Sequence, residues 1–156
     1  MKPTVYLETS VISYYCSRPS RDLIVAAHQQ ITDMWWEQAL PSYAVFISAP
    51  VLDECGKGDS AAAALRLERI RKFPILETTA EVIKLAEYYC RTLPIPEKAH
   101  ADCYHLALAA WHGIDYLISW NMSHIVNGAI IKRVQELNTA KNIRTPVICT
   151  PEELLE

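Results

Sequence analysis

The sequence predicts an α/β fold in which a parallel sheet is covered by helices on both faces. Two observations carry this. Short, apolar, β-branched runs recur along the chain, and the longer stretches between them place apolar residues at helical spacing. Strands that alternate with helices pair in parallel, because the helices supply the right-handed crossovers that parallel neighbours require. A length of 156 residues with 51% hydrophobic content is enough for one core, so residues 1–156 are expected to form a single domain.

The elements follow in order. Thr4 to Leu7 is a short β-forming run after Pro3, closed abruptly by the charged Glu8, and reads as a buried strand. Leu23 to Leu40 has the helical period. Ala44 to Ala49 is the second strand, and Asp59-Ser60 offers an N-cap to a helix over Ala61 to Lys72. Ile75-Leu76 after Pro74 is the third strand, and Thr79 opens a helix over Ala80 to Arg91. The prolines Pro94 and Pro96 mark a loop before a helix over Ala99 to His112. Gly113 is placed to end that helix in a left-handed turn before a fourth strand, Tyr116 to Ser119. A helix over Ser123 to Lys141 and a strand over Val147 to Cys149 complete the set.

Composition excludes several classes. No basic-apolar-small leader pattern opens the chain and no run of about 18 apolar residues occurs, so a cytoplasmic protein without membrane association is expected. Five scattered cysteines without a C-x-x-C pair predict free thiols in place of a disulfide framework or zinc ribbon. The P-loop, G-x-G-x-x-G and G-x-S-x-G patterns are missing, which removes nucleotide hydrolysis, dinucleotide chemistry and α/β-hydrolase chemistry. A net charge of −3 argues against nucleic-acid binding by basic excess. It leaves room for a site where clustered acids hold a cation that itself meets the phosphate.

In an open parallel sheet, ligands bind beyond the carboxyl ends of the strands, near the point where strand order reverses. Glu8 ends the first strand, Glu54 follows the second by about one helical turn, Asp102 lies in the first turn of its helix, and Asn121 stands just past the fourth strand. Three carboxylates and an amide can therefore converge, and such an oxygen set suits a hard cation, Mg²⁺ or Mn²⁺. Each of three residues also has an ordinary reading: Glu54 as a solvated helix residue beside Asp53, Asp102 as a complement to its helix dipole, Asn121 as a turn residue. Glu8 resists such a reading, since a carboxylate closing an apolar strand is partly buried and needs a partner.

The segments YLETSVISYY (Tyr6 to Tyr15), SAPVLDECGKGD (Ser48 to Asp59), ADCYHLALAAWHGIDYLISWN (Ala101 to Asn121) and PVICTPEELL (Pro146 to Leu155) together resemble a PIN domain over nearly the whole chain. The YLET opening and the W-N-x-x-H-I-x-N run from Trp120 to Asn127 resemble a branch of VapC-like toxins. The resemblance implies a three-layer α/β/α sandwich with strand order 3-2-1-4-5, and a Mg²⁺- or Mn²⁺-dependent endoribonuclease. It places Glu8, Glu54, Asp102 and Asn121 at the catalytic positions, with Glu8, Asp102 and Glu54 holding the metal. Strands one and four then lie side by side, with Glu8 facing Asn121. It also implies an antitoxin partner and a homodimer. Glu8 stands where the family more often has Asp, and the neutral Asn121 removes one formal charge, which predicts one tightly held ion.

In this reading Glu8 and Asp102 hold the ion, Glu54 orders it or accepts the proton of its bound water, and Asn121 holds that water or a phosphate oxygen. Thr9 and Ser10 are either phosphate contacts or helix caps, and His124 either reaches the scissile region or lies on the surface. His100, Asp102 and His105 are a weaker zinc candidate that lacks a fourth ligand. Trp35 and Trp36 with Met34 read as core and interface before base-stacking platform. Arg66, Arg69, Arg71 and Lys72 read as a solvated face before an RNA or acidic-partner contact. A PIN-fold RNA-binding or protein-interaction module with weakened catalysis is the competing expectation, and a phosphatase or other metal hydrolase is a third.

Overall fold

The structure is a computed structural model that describes residues 1–156. Strand β1 (Thr4–Leu7) leads through α1 (Thr9–Cys16) and α2 (Leu23–Met34) to β2 (Ala44–Ser48). Helices α3 (Ala49–Cys55) and α4 (Ser60–Ile70) precede β3 (Ile75–Leu76). Then come α5 (Ala80–Thr92), α6 (His100–Trp111), β4 (Tyr116–Ile118), α7 (Gly128–Ala140) and β5 (Val147–Cys149). All strand pairs are parallel and the sheet order is β3-β2-β1-β4-β5, as expected. The chain runs outward from β1 to β3, then returns to the other side of β1. Right-handed crossovers therefore put α1 to α4 on one face and α5 to α7 on the other. The packing agrees: α1 touches α2, α3 and α4, while α5 lies along α6.

The central strands are buried on both faces, so their residues are continuously apolar: Val5, Tyr6 and Leu7 in β1 and Leu117 and Ile118 in β4 are all fully buried. Helix α6 is apolar nearly all round, with Leu106, Ala107, Leu108, Ala109 and Ala110 in one core of 37 buried residues. Its small alanines permit the close approach of α5. Gly113 has φ +67°, the left-handed turn its position predicted. Asp59 and Thr79 accept from the Ala62 and Val82 backbone N–H groups, the expected caps of α4 and α5.

Several elements differ from the sequence reading, and four of the differences have a clear local cause. Helix α1, whose start the capping reading of Thr9 and Ser10 implies, has no predicted range, because Thr9–Cys16 is rich in β-branched and aromatic residues. The carboxylate of Glu8 nucleates it by accepting from the Ser10 N–H at 3.2 Å. The α-helix of α2 ends at Met34 and continues as a wider π-turn over Trp35–Ala39, with both indoles turned into the core, and Pro41, which has no N–H to continue the ladder, follows. Strand β2 stops at Ser48, one residue early, because the Ser48 hydroxyl caps α3, where Pro50 is preorganised for a first turn. Helix α7 starts at Gly128, not Ser123, because Asn127 caps it through the Ala129 and Ile130 N–H groups. Residues 123–126 form a turn on Asn121, whose carbonyl accepts from the Ile125 and Val126 N–H groups.

Candidate acidic site at the carboxyl ends of the strands

Glu8 continues directly from β1, whose Leu7 is level with Ile118 of β4. The next residue of the neighbouring strand, Ser119, therefore stands beside Glu8. The expectation that Asn121 would face Glu8 is corrected by this register: Ser119 Oγ donates to Glu8 Oε1 at 2.5 Å, and Ser10 Oγ donates to the same oxygen at 2.5 Å. Both hydroxyls are aimed by backbone donors. The Trp120 N–H donates to Ser10 Oγ at 2.8 Å and the Asn121 N–H to Ser119 Oγ at 2.9 Å, so each hydroxyl proton is left for the carboxylate. Glu8 is only 4% exposed, and these bonds are the partners its burial requires.

Glu54 reaches the same place from α3. Its Oε1 accepts from Thr9 Oγ1 at 2.8 Å and meets His105 Nε2 at 2.6 Å. Burial raises the Glu54 carboxyl, but the hydrogen bond and charge of His105, the Thr9 hydroxyl and Lys57 outweigh it, and its pKa falls below the ordinary value. For His105, burial opposes protonation. The hydrogen bond that His105 donates to Glu54 and the charges of Glu8, Glu54 and Asp102 prevail and raise it. Ligand atoms of Glu8, Glu54 and His105 all lie within 4.8 Å of one another.

Asp102, in the first turn of α6, lies one turn before His105 and is 9% exposed. Its Oδ2 meets His124 Nδ1 at 3.1 Å. His124 in turn gives its backbone N–H to Asn121 Oδ1 at 3.0 Å. The structure thus brings Glu8 and Glu54 together. Asp102, which the sequence reading placed with them as a ligand, is held by His124, and Asn121 organises the turn that carries that histidine.

The hydroxyls of Thr9 and Ser10 are committed to Glu54 and Glu8, so they serve the carboxylates where the sequence offered phosphate contact or capping. The zinc candidate is not assembled, since His105 groups with Glu8 and Glu54 and not with His100. Trp35 is fully buried and Trp36 stacks on Tyr15 with ring centroids 4.3 Å apart, in keeping with core. In the basic run, Arg66 of α4 donates to the Cys55 and Lys57 carbonyls, and Arg71, just past the end of α4, pairs with Glu68 on an exposed face. Sequence reasoning missed Ser119 and the role of His105. Register across β1 and β4 is the signal for the first, and the i,i+3 spacing from Asp102 is a partial signal for the second.

The donor set is chemically consistent. Around Glu8 and Glu54 the groups are carboxylates and hydroxyls, with no thiol, and both nitrogens of His105 are already engaged. Oxygen donors of this kind fit a hard divalent cation better than zinc.

No protein-family model matches the sequence, and no curated protein is similar to it at a significant level. Solved structures are similar in fold. VapC20 of Mycobacterium tuberculosis, a toxin that cleaves the sarcin-ricin loop, superposes with a TM-score of 0.60 at 17% identity, covering 77% of this chain and 92% of that one. VapBC-1 from nontypeable Haemophilus influenzae superposes with a TM-score of 0.54 at 16% identity, covering 95% of this chain and 98% of that one. The chain therefore has a PIN-like fold, the three-layer α/β/α sandwich. No helix is long and apolar enough to cross a membrane.

Proposed function

We propose that this protein is a divalent-cation-dependent endoribonuclease and the toxin half of a toxin–antitoxin pair, with a cognate antitoxin and a second copy of itself as protein partners in the cytoplasm. One observation carries the reading. Glu8 and Glu54 converge beyond the carboxyl ends of β1 and β2, next to the switch point between β1 and β4, in a fold shared with a toxin that cleaves the sarcin-ricin loop.

Glu8, Glu54 and Asp102 would hold Mg²⁺ or Mn²⁺. When bound, such an ion lowers the pKa of water and offsets charge on a phosphoryl oxygen. The chain's own residues do the rest. Ser10 and Ser119 fix the Glu8 carboxylate, Thr9 fixes Glu54, and His124 fixes Asp102. Glu54, whose lowered pKa favours the charged carboxylate, is suited to order the ion, and it is the carboxylate placed to accept the proton of the water. With Asn121 Oδ1 taken by the His124 N–H, its amide nitrogen is the donor left for a phosphate oxygen.

The test is cleavage of end-labelled single-stranded RNA in Mn²⁺ or Mg²⁺. Asp102→Ala is expected to lower the rate by at least about 100-fold with the circular dichroism spectrum unchanged. Cleavage that survives that substitution would sink the site assignment. RNA binding without cleavage in either ion would favour the interaction module, a reading to which the neutral Asn121 lends some support.

A further inference from the structure

Behind Glu54 runs a buried polar chain that the proposed chemistry does not use. His105 Nδ1 meets the Tyr6 hydroxyl at 2.7 Å, and the Tyr6 hydroxyl meets Ser48 Oγ at 2.7 Å. Tyr6, Ser48 and His105 are each 0% exposed. Ser48 Oγ also accepts from the Val51 N–H at 3.3 Å, capping the helix that carries Glu54.

The polar chain draws on the three elements that present Glu8, Glu54 and Asp102. Tyr6 lies two residues before Glu8 on β1, Ser48 caps α3, and His105 lies one turn after Asp102 on α6. Three polar side chains without solvent are costly unless all are paired, and pairing makes their spacing specific. Because Glu54 Oε1 only accepts, Nε2 keeps its hydrogen on Glu54 in either protonation state of the imidazole. The Tyr6 and Ser48 hydroxyls rotate to match whichever state Nδ1 adopts. His105 is thus unavailable as a ligand, since displacing either nitrogen would strand a buried partner.

We propose that His105 is a positioning residue: with Tyr6 and Ser48 behind it, it holds the Glu54 carboxylate beside Glu8 and thereby sets the affinity of the site for a divalent cation. This rests on the cation site of the proposed function. Outer partners of this kind change metal affinity by about 10- to 100-fold when removed.

The experiment is Mn²⁺ binding to RNA-free protein, read by the electron paramagnetic resonance of free Mn²⁺, with thermal unfolding recorded alongside. His105→Ala is expected to weaken binding at least about tenfold. His105→Gln, which retains a donor for Glu54, should restore most of it, and that rescue separates positioning from a general packing role. Tyr6→Phe preserves ring volume, so it serves as the deciding variant if His105→Ala fails to fold, and it too should weaken binding. Wild-type affinity in folded His105→Ala, or in Tyr6→Phe when only that variant folds, overturns the positioning role while leaving the cation site standing. Failure of the wild-type protein to bind Mn²⁺, with Glu54→Gln no different, overturns the cation site and this role with it.

Discussion

Single carboxylates in this protein are defined by what donates to them. Glu8 sits in the core with two serine hydroxyls and a backbone N–H, whereas Asp115 ties the other end of the sheet together from a half-exposed position. Asp115 Oδ2 accepts from the Thr4 N–H at 2.8 Å and from Thr4 Oγ1 at 3.1 Å, and its Oδ1 meets Arg144 at 3.3 Å. These bonds, the Thr4 backbone N–H foremost, hold its carboxyl below the usual range. A carboxyl depressed in the folded state stabilises the protein above its unfolded pKa, near 3.9, and that contribution fades as pH falls through the lower folded value. Asp115→Asn should therefore unfold at a lower temperature than wild type at pH 7. The gap should close as the pH drops below about 4. A gap that stays constant across thermal scans from pH 7 to pH 3 would contradict the charge-based account.

Among the elements, α6 carries the largest consequence. It supplies Asp102 and His105 to the site and a run of fully buried aliphatics to the core, so its position sets both stability and chemistry. Leu108→Ala removes a side chain that is 0% exposed and leaves a cavity where neighbours cannot fully collapse. A loss of about 2–5 kcal/mol is expected in urea unfolding, with the slope against urea unchanged. A loss under about 1 kcal/mol would mean that α5 and α6 close over the gap more readily than close packing allows. Short helices behave differently. Helix α3 has only seven residues and depends on the Ser48 cap and on Pro50 to present Glu54.

At the scale of the whole molecule, stability comes from one core and one sheet without covalent cross-links. All five cysteines are free, and three of them, Cys55, Cys103 and Cys149, are buried. Burial pushes the Cys55 and Cys149 thiols up to about 12 and Cys103 higher still, so they remain protonated and poorly nucleophilic at neutral pH. Thermal unfolding should be the same with and without a thiol reductant, and five thiols should react with a chromogenic disulfide once the chain is denatured. A reductant-dependent transition would show a cross-link that this arrangement of thiols does not contain.

Much of the fold was legible because burial writes itself into a short code. Strands covered on both faces must be continuously apolar, as Val5 to Leu7 are, and helices must show the 3.6-residue period, as α5 does. Caps were legible too, since Asp59, Thr79 and Gly113 act through backbone groups within three residues. The extent of helix α1 was not, because its β-branched and aromatic residues carry a local preference that the Glu8 cap and packing against the sheet override. Sequence alone thus determined the sheet-and-helix alternation and pointed to Glu8 and Glu54 at the strand ends. The tertiary structure decided who partners whom: parallel register put Ser119, not Asn121, beside Glu8, and brought His105 onto Glu54 from 51 residues away. Local spacing cannot carry such information, because hydrogen bonds between separate strands and helices exist only once the crossovers have set their register.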